Sequence, residues 1–126
     1  MAGRGRSARN KGAAAEREFF ALLNKFLPER LRIQRKLGQA RDGGDDGDAA
    51  GVSIEVKRQE RLMLAKWLEQ AKDSAGDNYP AVVFRQNNKQ WRCIVEMTPL
   101  ELAAFMRYTN NIGDTVKSIE RSISEL

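Results

Sequence analysis

The chain has no histidine and a single cysteine among its 126 residues. The missing histidine excludes nucleases built on a His-bound metal, zinc sites that use imidazole, and hydrolases of the Ser-His-Asp type. Any hydrolytic chemistry therefore falls to carboxylates, lysine and a hard metal ion. The lone Cys93, inside an apparent strand, excludes an internal disulfide and fits a reducing, cytoplasmic compartment. No apolar run approaches the length of a membrane span, and no secretory signal stands at the start. What the sequence does have is charge: 22 Lys and Arg against 17 Asp and Glu give a net +5 and a pI near 9.7, which favours a polyanionic partner. A hydrophobic fraction of 41% and no visible repeat fit one soluble globular domain with a single core.

The negative charge is concentrated. Asp42, Asp45, Asp46 and Asp48 fall within seven residues, just before the strand-like run Val52–Lys57. Along that run Ile54 and Val56 face one side while Glu55 and Lys57 face the other. Ala50-Gly51 suits a two-residue turn into it, since glycine tolerates the positive φ such turns need. Folding back about that turn pairs Ala49 with Val52, Asp48 with Ser53, Gly47 with Ile54 and Asp46 with Glu55. Two carboxylates then meet across neighbouring strands with a lysine two residues away. Asp45 or Asp48 takes the place of Asp46 if the turn shifts by one residue. A Gly-rich acidic surface loop, of a kind that binds Ca²⁺, is the plainer alternative; it lacks the EF-hand spacing.

Residues 1–12 carry Arg4, Arg6, Arg9 and Lys11 and no acid, the composition of a flexible basic tail able to neutralise phosphates. The spacing of Phe19, Leu22, Leu23 and Phe26 predicts a helix over Ala13–Phe26, ended by Pro28. Glu16 lies within about 60° of Phe19 on that helix, so it points toward the buried side and needs a cation or a metal as partner. Arg30–Leu37 alternates as a strand with a basic face that includes Lys36. Arg35 breaks the alternation and is placed to turn inward or mark a bulge. Residues 38–44, with Arg41, form a loop. Glu60–Ala75 is a second amphipathic helix (Leu64, Trp67, Leu68, Ala71, Ala75) closed by Gly76. Ala81–Arg85 and Gln90–Glu96 are strands joined at Asn87-Asn88. Thr98-Pro99-Leu100-Glu101 is a capping box opening a helix to Tyr108. Val116, Ile119, Ile123 and Leu126 make a narrow seam on a last helix, which either packs on its own domain or meets a partner.

The segment Lys11-Gly12-Ala13-Ala14-Ala15-Glu16-Arg17 resembles the KGxxxER opening of archaeal-type Holliday junction resolvases and their phage relatives. The acidic cluster followed by Glu55-Val56-Lys57 is similar to the D-x(n)-E-x-K pattern of the PD-(D/E)xK nuclease superfamily, with GDDGD where Pro-Asp is usual. The two matches frame residues 11–57. The resemblance implies an α/β, restriction-endonuclease-like αβββαβ core over residues 13–97, a mixed sheet flanked by helices. Extra C-terminal helices over 98–126 would then be free to serve dimerisation.

It further implies a Mg²⁺- or Mn²⁺-dependent endodeoxyribonuclease of a bacterial, archaeal or phage-infected cell, cutting four-way junctions as a homodimer. Asp46, Glu55, Glu16 and the Val56 carbonyl would hold the metal, and Lys57 would orient the attacking water. Arg4, Arg6, Arg9, Lys11, Arg17, Arg35, Lys36, Arg41 and Arg58 would meet DNA, and Gln70 resembles the helix glutamine of many such nucleases. A phage nuclease acting on flaps or nicks, and a non-catalytic DNA-binding module of the same fold, are the alternatives.

Overall fold

The computed structural model describes residues 2–37, 45–109 and 112–125, with the side chains of residues 2–11 and 112 outside the description. The chain divides into two compact units, Met1–Glu96 and Met97–Leu126.

The first unit is a four-stranded mixed sheet between helices. Its elements are α1 (Ala2–Asn24), β1 (Gly47–Ala49), β2 (Val52–Arg58), α2 (Leu64–Ala75), β3 (Tyr79–Arg85) and β4 (Arg92–Val95). The sheet order is β1-β2-β3-β4, with β2 and β3 parallel and both outer pairs antiparallel. Each face carries its own apolar cluster. Phe19, Phe20 and Ile33 pack on Ile54, Ala81 and Val83 from one side, whereas Trp67 and Ala71 of α2 pack on Val82 and Phe84 from the other. Burial on both faces explains why β3 carries the unbroken run Ala81-Val82-Val83-Phe84, where a half-exposed strand would alternate.

The β1–β2 register is the expected one, Gly47↔Ile54, Asp48↔Ser53 and Ala49↔Val52. The turn has φ of 54° at Ala50 and 78° at Gly51, so both central residues are left-handed, as in a type I′ hairpin. Gly47 is required by a close approach: a Cβ there would lie 2.9 Å from Phe20 Cζ and 3.1 Å from the Gln34 carbonyl oxygen.

Several expectations are corrected. Residues 2–12, read as a flexible tail, continue α1 as helix; the stretch has no proline, and its alanines and arginines favour helix over its glycines. The helix ends at Asn24, before Phe26, which is exposed, and its buried face is Ala15, Glu16, Phe19 and Phe20. Arg30–Leu37 is not a strand. A short 3-10 turn over Glu29–Leu31 follows Pro28, and an extended segment continues from it. The Asn24 side chain takes both backbone groups of Ile33 (2.9 and 2.8 Å), which removes them from any ladder. α2 starts at Leu64 and not at Glu60, whose carboxylate accepts the Asn87 amide at 2.6 Å and so holds the chain in a connector.

The second unit contains α3 (Pro99–Tyr108) and α4 (Ile112–Ser124). The Thr98–Glu101 capping box forms with both reciprocal bonds, 3.2 and 2.9 Å. On α4 the seam is shallow: Val116 is exposed and Ile119 and Ile123 are half-buried, while Leu126 lies outside the described residues. Among the described residues no helix is long and apolar enough to cross a membrane.

Candidate active site

The site forms where β1 stops early. Because β1 begins only at Gly47, the next amide of β2 on that edge, Val56 N–H, has no strand partner. The Asp46 carboxylate supplies one: Val56 N–H donates to Asp46 Oδ2 at 2.7 Å. The backbone still follows β2 at this point, since Asp46 N–H donates to the Ile54 carbonyl at 3.0 Å, and Lys36 N–H donates to the Asp46 carbonyl at 2.9 Å. Asp46 is 3% exposed, so its charge is held against the backbone of β2 and away from solvent. The N–H and C=O of one strand residue point to the same edge, which brings the Val56 carbonyl to the side Asp46 occupies.

On β2, Glu55 and Lys57 share the face covered by α2, opposite to Ile54 and Val56. Glu55 is half-buried, and Lys57 Nζ donates to Gln70 Oε1 of α2 at 3.2 Å. Gln70 is thus brought to the lysine. Glu16, 2% exposed on α1, is ion-paired with Arg35, the residue that broke the alternation and does turn inward. A buried carboxylate held by a guanidinium satisfies the requirement for a partner by the cation route.

Asp45 and Asp48 are engaged elsewhere. Lys36 Nζ lies 2.8 Å from Asp45 Oδ1 and 3.5 Å from Asp48 Oδ1. The hydrogen-bonding contact with Asp45, partly opposed by burial and reinforced by the charges of Asp45 and Asp48, raises the lysine pKa above its ordinary value. The three candidate aspartates are therefore distinguished by partner: Asp46 faces the backbone of β2, while Asp45 and Asp48 face Lys36.

Among the described residues, no three acidic side chains converge closely enough to hold a metal ion. Asp46 accepts from the Val56 amide of β2, Glu55 lies on the α2 face of that strand, and Glu16 is turned to Arg35. The donor set around β2 (two carboxylates and a main-chain carbonyl) is all oxygen and suits a small hard cation.

Of the basic residues, Arg17 is exposed, whereas Arg58 reaches across the sheet to Asn87 Oδ1 (2.7 Å) and lies 3.8 Å from Glu60. Arg41 and Asp42 lie outside the described residues, as do the side chains of Arg4, Arg6, Arg9 and Lys11. Sequence reasoning missed Gly47 and the Glu18–Arg85 ion pair, whose members are 67 positions apart. No local pattern signals either.

No protein-family model matches the sequence, and no curated protein matches it. Among solved structures the chain is similar to Hjc of Archaeoglobus fulgidus, a Holliday junction resolvase from an archaeal hyperthermophile. The identity is 25% and the TM-score 0.52, over 70% of this chain and 78% of that one. The mixed α/β architecture described above is thus a resolvase-like, restriction-endonuclease-like nuclease fold.

Proposed function

We propose that this protein is a metal-dependent endodeoxyribonuclease that cuts branched DNA, with the four-way junction as its principal substrate. The observation that supports this reading is the buried Asp46 carboxylate, which lies just before the first residue of β1 and accepts from the Val56 amide, the residue between Glu55 and Lys57 on β2. The fold shared with an archaeal resolvase supports the choice of substrate.

Asp46, Glu55 and the Val56 carbonyl are the groups that would hold Mg²⁺ or Mn²⁺, with Glu16 completing the shell once it leaves Arg35. Such an ion, when bound, polarises a phosphoryl oxygen and lowers the pKa of a coordinated water. Lys57 would orient the attacking water and offset negative charge building on the phosphate, in a position fixed by Gln70. Arg35, released from Glu16, and Arg17 would meet the phosphates on either side. Cutting opposed strands of a junction requires two sites, so the working form would be a twofold dimer, with α4 the proposed contact.

The test is Mg²⁺-dependent cleavage of a synthetic four-way junction beside a linear duplex of the same sequence and a flap substrate. Symmetric nicking of the junction alone supports the resolvase reading. Preferred cutting of the flap redirects it to another branched-DNA nuclease, and binding without cleavage leaves a non-catalytic module.

A further inference from the structure

The two edges of the sheet differ. The extended segment after the 3-10 turn runs past β1, and Lys36 N–H there donates to the Asp46 carbonyl at 2.9 Å. β4 is the other edge, and among the described residues no backbone group pairs with its outer side. Its Arg92, Cys93 and Val95 are exposed, and Ile94 is half-buried. An edge strand with Cys-Ile-Val at its centre, no lysine and no proline has little of the usual protection against pairing.

The hydrogen-bond phase of β4 fixes which groups are open. Glu96 N–H donates to the Pro80 carbonyl at 3.0 Å, and these two residues continue the register Ala81↔Val95, Val82↔Ile94. Bonded pairs alternate along an antiparallel ladder, so Glu96, Ile94 and Arg92 turn their backbone groups inward to β3. Cys93 and Val95 turn theirs outward.

A second copy of the same strand fits this edge. Across a twofold axis β4 meets itself antiparallel. With Ile94 on the axis, Cys93 of one copy opposes Val95 of the other, and the outward backbone groups of both are satisfied. Arg92 of each copy then opposes Glu96 of the other. Both side chains are exposed, and they occupy the non-bonded positions at which cross-strand side chains come closest. Moving the axis to Cys93 or Val95 sets Arg92 against Ile94 or Thr98, and both charge pairs are lost.

We propose that β4 is a self-complementary edge through which two copies of this chain join their sheets about a twofold axis at Ile94. This deepens the twofold dimer of the branched-DNA reading above, on which its purpose rests, and gives that dimer a contact in the first unit, separate from α4. Directly opposed residues point to one face, so Glu55 and Lys57 of both copies lie on the same side of the joined sheet. Five strand spacings, roughly 24 Å, separate the two β2 strands. Two sites that face one way suit paired cuts in one branched substrate.

Sedimentation of the full chain reads this assembly without DNA or metal. The parent is expected to be a dimer. Glu96→Arg sets arginine against Arg92 twice and should weaken the dimer by about tenfold or more, with the fold kept because the side chain is exposed. Arg92→Glu/Glu96→Arg restores opposite charges and should restore the dimer. In a Cys93→Ser background, Ile94→Cys should form an interchain disulfide on mild oxidation, since opposed non-bonded residues have Cα atoms about 4.5 Å apart. A monomeric parent overturns the proposal. So does a dimer that Glu96→Arg leaves unchanged, which assigns the contact to another surface. A folded double variant that stays monomeric overturns the charge pairing, and a disulfide through Cys93 in the parent overturns the register. An intact, charge-dependent dimer that cuts no branched DNA supports the edge pairing and removes the nuclease reading.

Discussion

The two hairpins of the sheet answer to opposite rules. Beside β1–β2 charge is buried: Asp45 and Asp46, just before β1, are each 3% exposed, while Asp48 on β1 is exposed. In β3–β4 the turn Asn87–Asn88 and the following Lys89 and Gln90 are all exposed, and the only left-handed non-glycine of that hairpin is an asparagine, the residue type that adopts it most readily. The second hairpin costs the fold little. The first holds charge out of water, which is unfavourable unless each charge is engaged. Asp46 is engaged by an amide, Asp45 by Lys36, and nearby Glu16 by Arg35. A short edge strand that adds only Ala49 to the core, with buried charges beside it, is where a catalytic constellation is expected.

The sharpest way to break this contrast is Glu55→Gln, which removes the charge of a proposed metal ligand at nearly constant volume. Cleavage of the junction should fall to background while DNA binding in a gel-shift assay stays close to that of the unaltered protein. Full activity in the variant would sink the site. Next in size is Gly47→Ala, where the new methyl meets Phe20 and the Gln34 carbonyl. It should destabilise the fold by about 1–3 kcal/mol in urea melts. Lys89→Ala in the other hairpin should lie within about 0.5 kcal/mol of the parent.

Arg35→Ala tests whether Glu16 is paired for structure or held for metal. It should lower the melting temperature of the metal-free protein, and millimolar Mg²⁺ should recover much of the loss if Glu16 turns to the ion. A deficit that Mg²⁺ leaves untouched would make Glu16 a structural residue. The smallest effect concerns pH. Lys36 has a folded-state pKa raised above the ordinary 10.5. Its stabilising contribution is therefore present below that value and is lost as pH rises through the raised one. Lys36→Met should lie below the parent in thermal melts at neutral pH, with the gap closing only above about pH 10.5.

The hairpin register was legible because Ala50-Gly51 admits one tight turn, and a period of two then fixes every pair after it. Arg35 was legible as a break in an otherwise regular alternation. The segment around it was not, because what prevents a strand there is the Asn24 side chain holding Ile33, a contact between residues nine apart. The helix stripe was misjudged for a similar reason: the helix ends two residues before Phe26, and Phe20 takes the buried place beside Gly47. The place of Asp46 beside the outer edge of β2 followed from the hairpin register. The assignment of Asp45 to Lys36 did not, since it depends on how the chain between residues 32 and 36 runs past β1.

The Asp46 carboxylate completes the strand edge that β1 leaves open, and this has a kinetic consequence. Its partner Val56 is ten positions away, and the turn between them is tight, so the contact is local. Hairpins of this kind close in roughly 1–10 μs, whereas the parallel β2–β3 pairing must wait for the α2 crossover. Asp46 and Glu55 are thus expected to be neighbours early in folding, and Glu16 to arrive only when α1 docks. If the proposed ligands are right, a metal ion added during refolding meets Asp46 and Glu55 before Glu16 joins them.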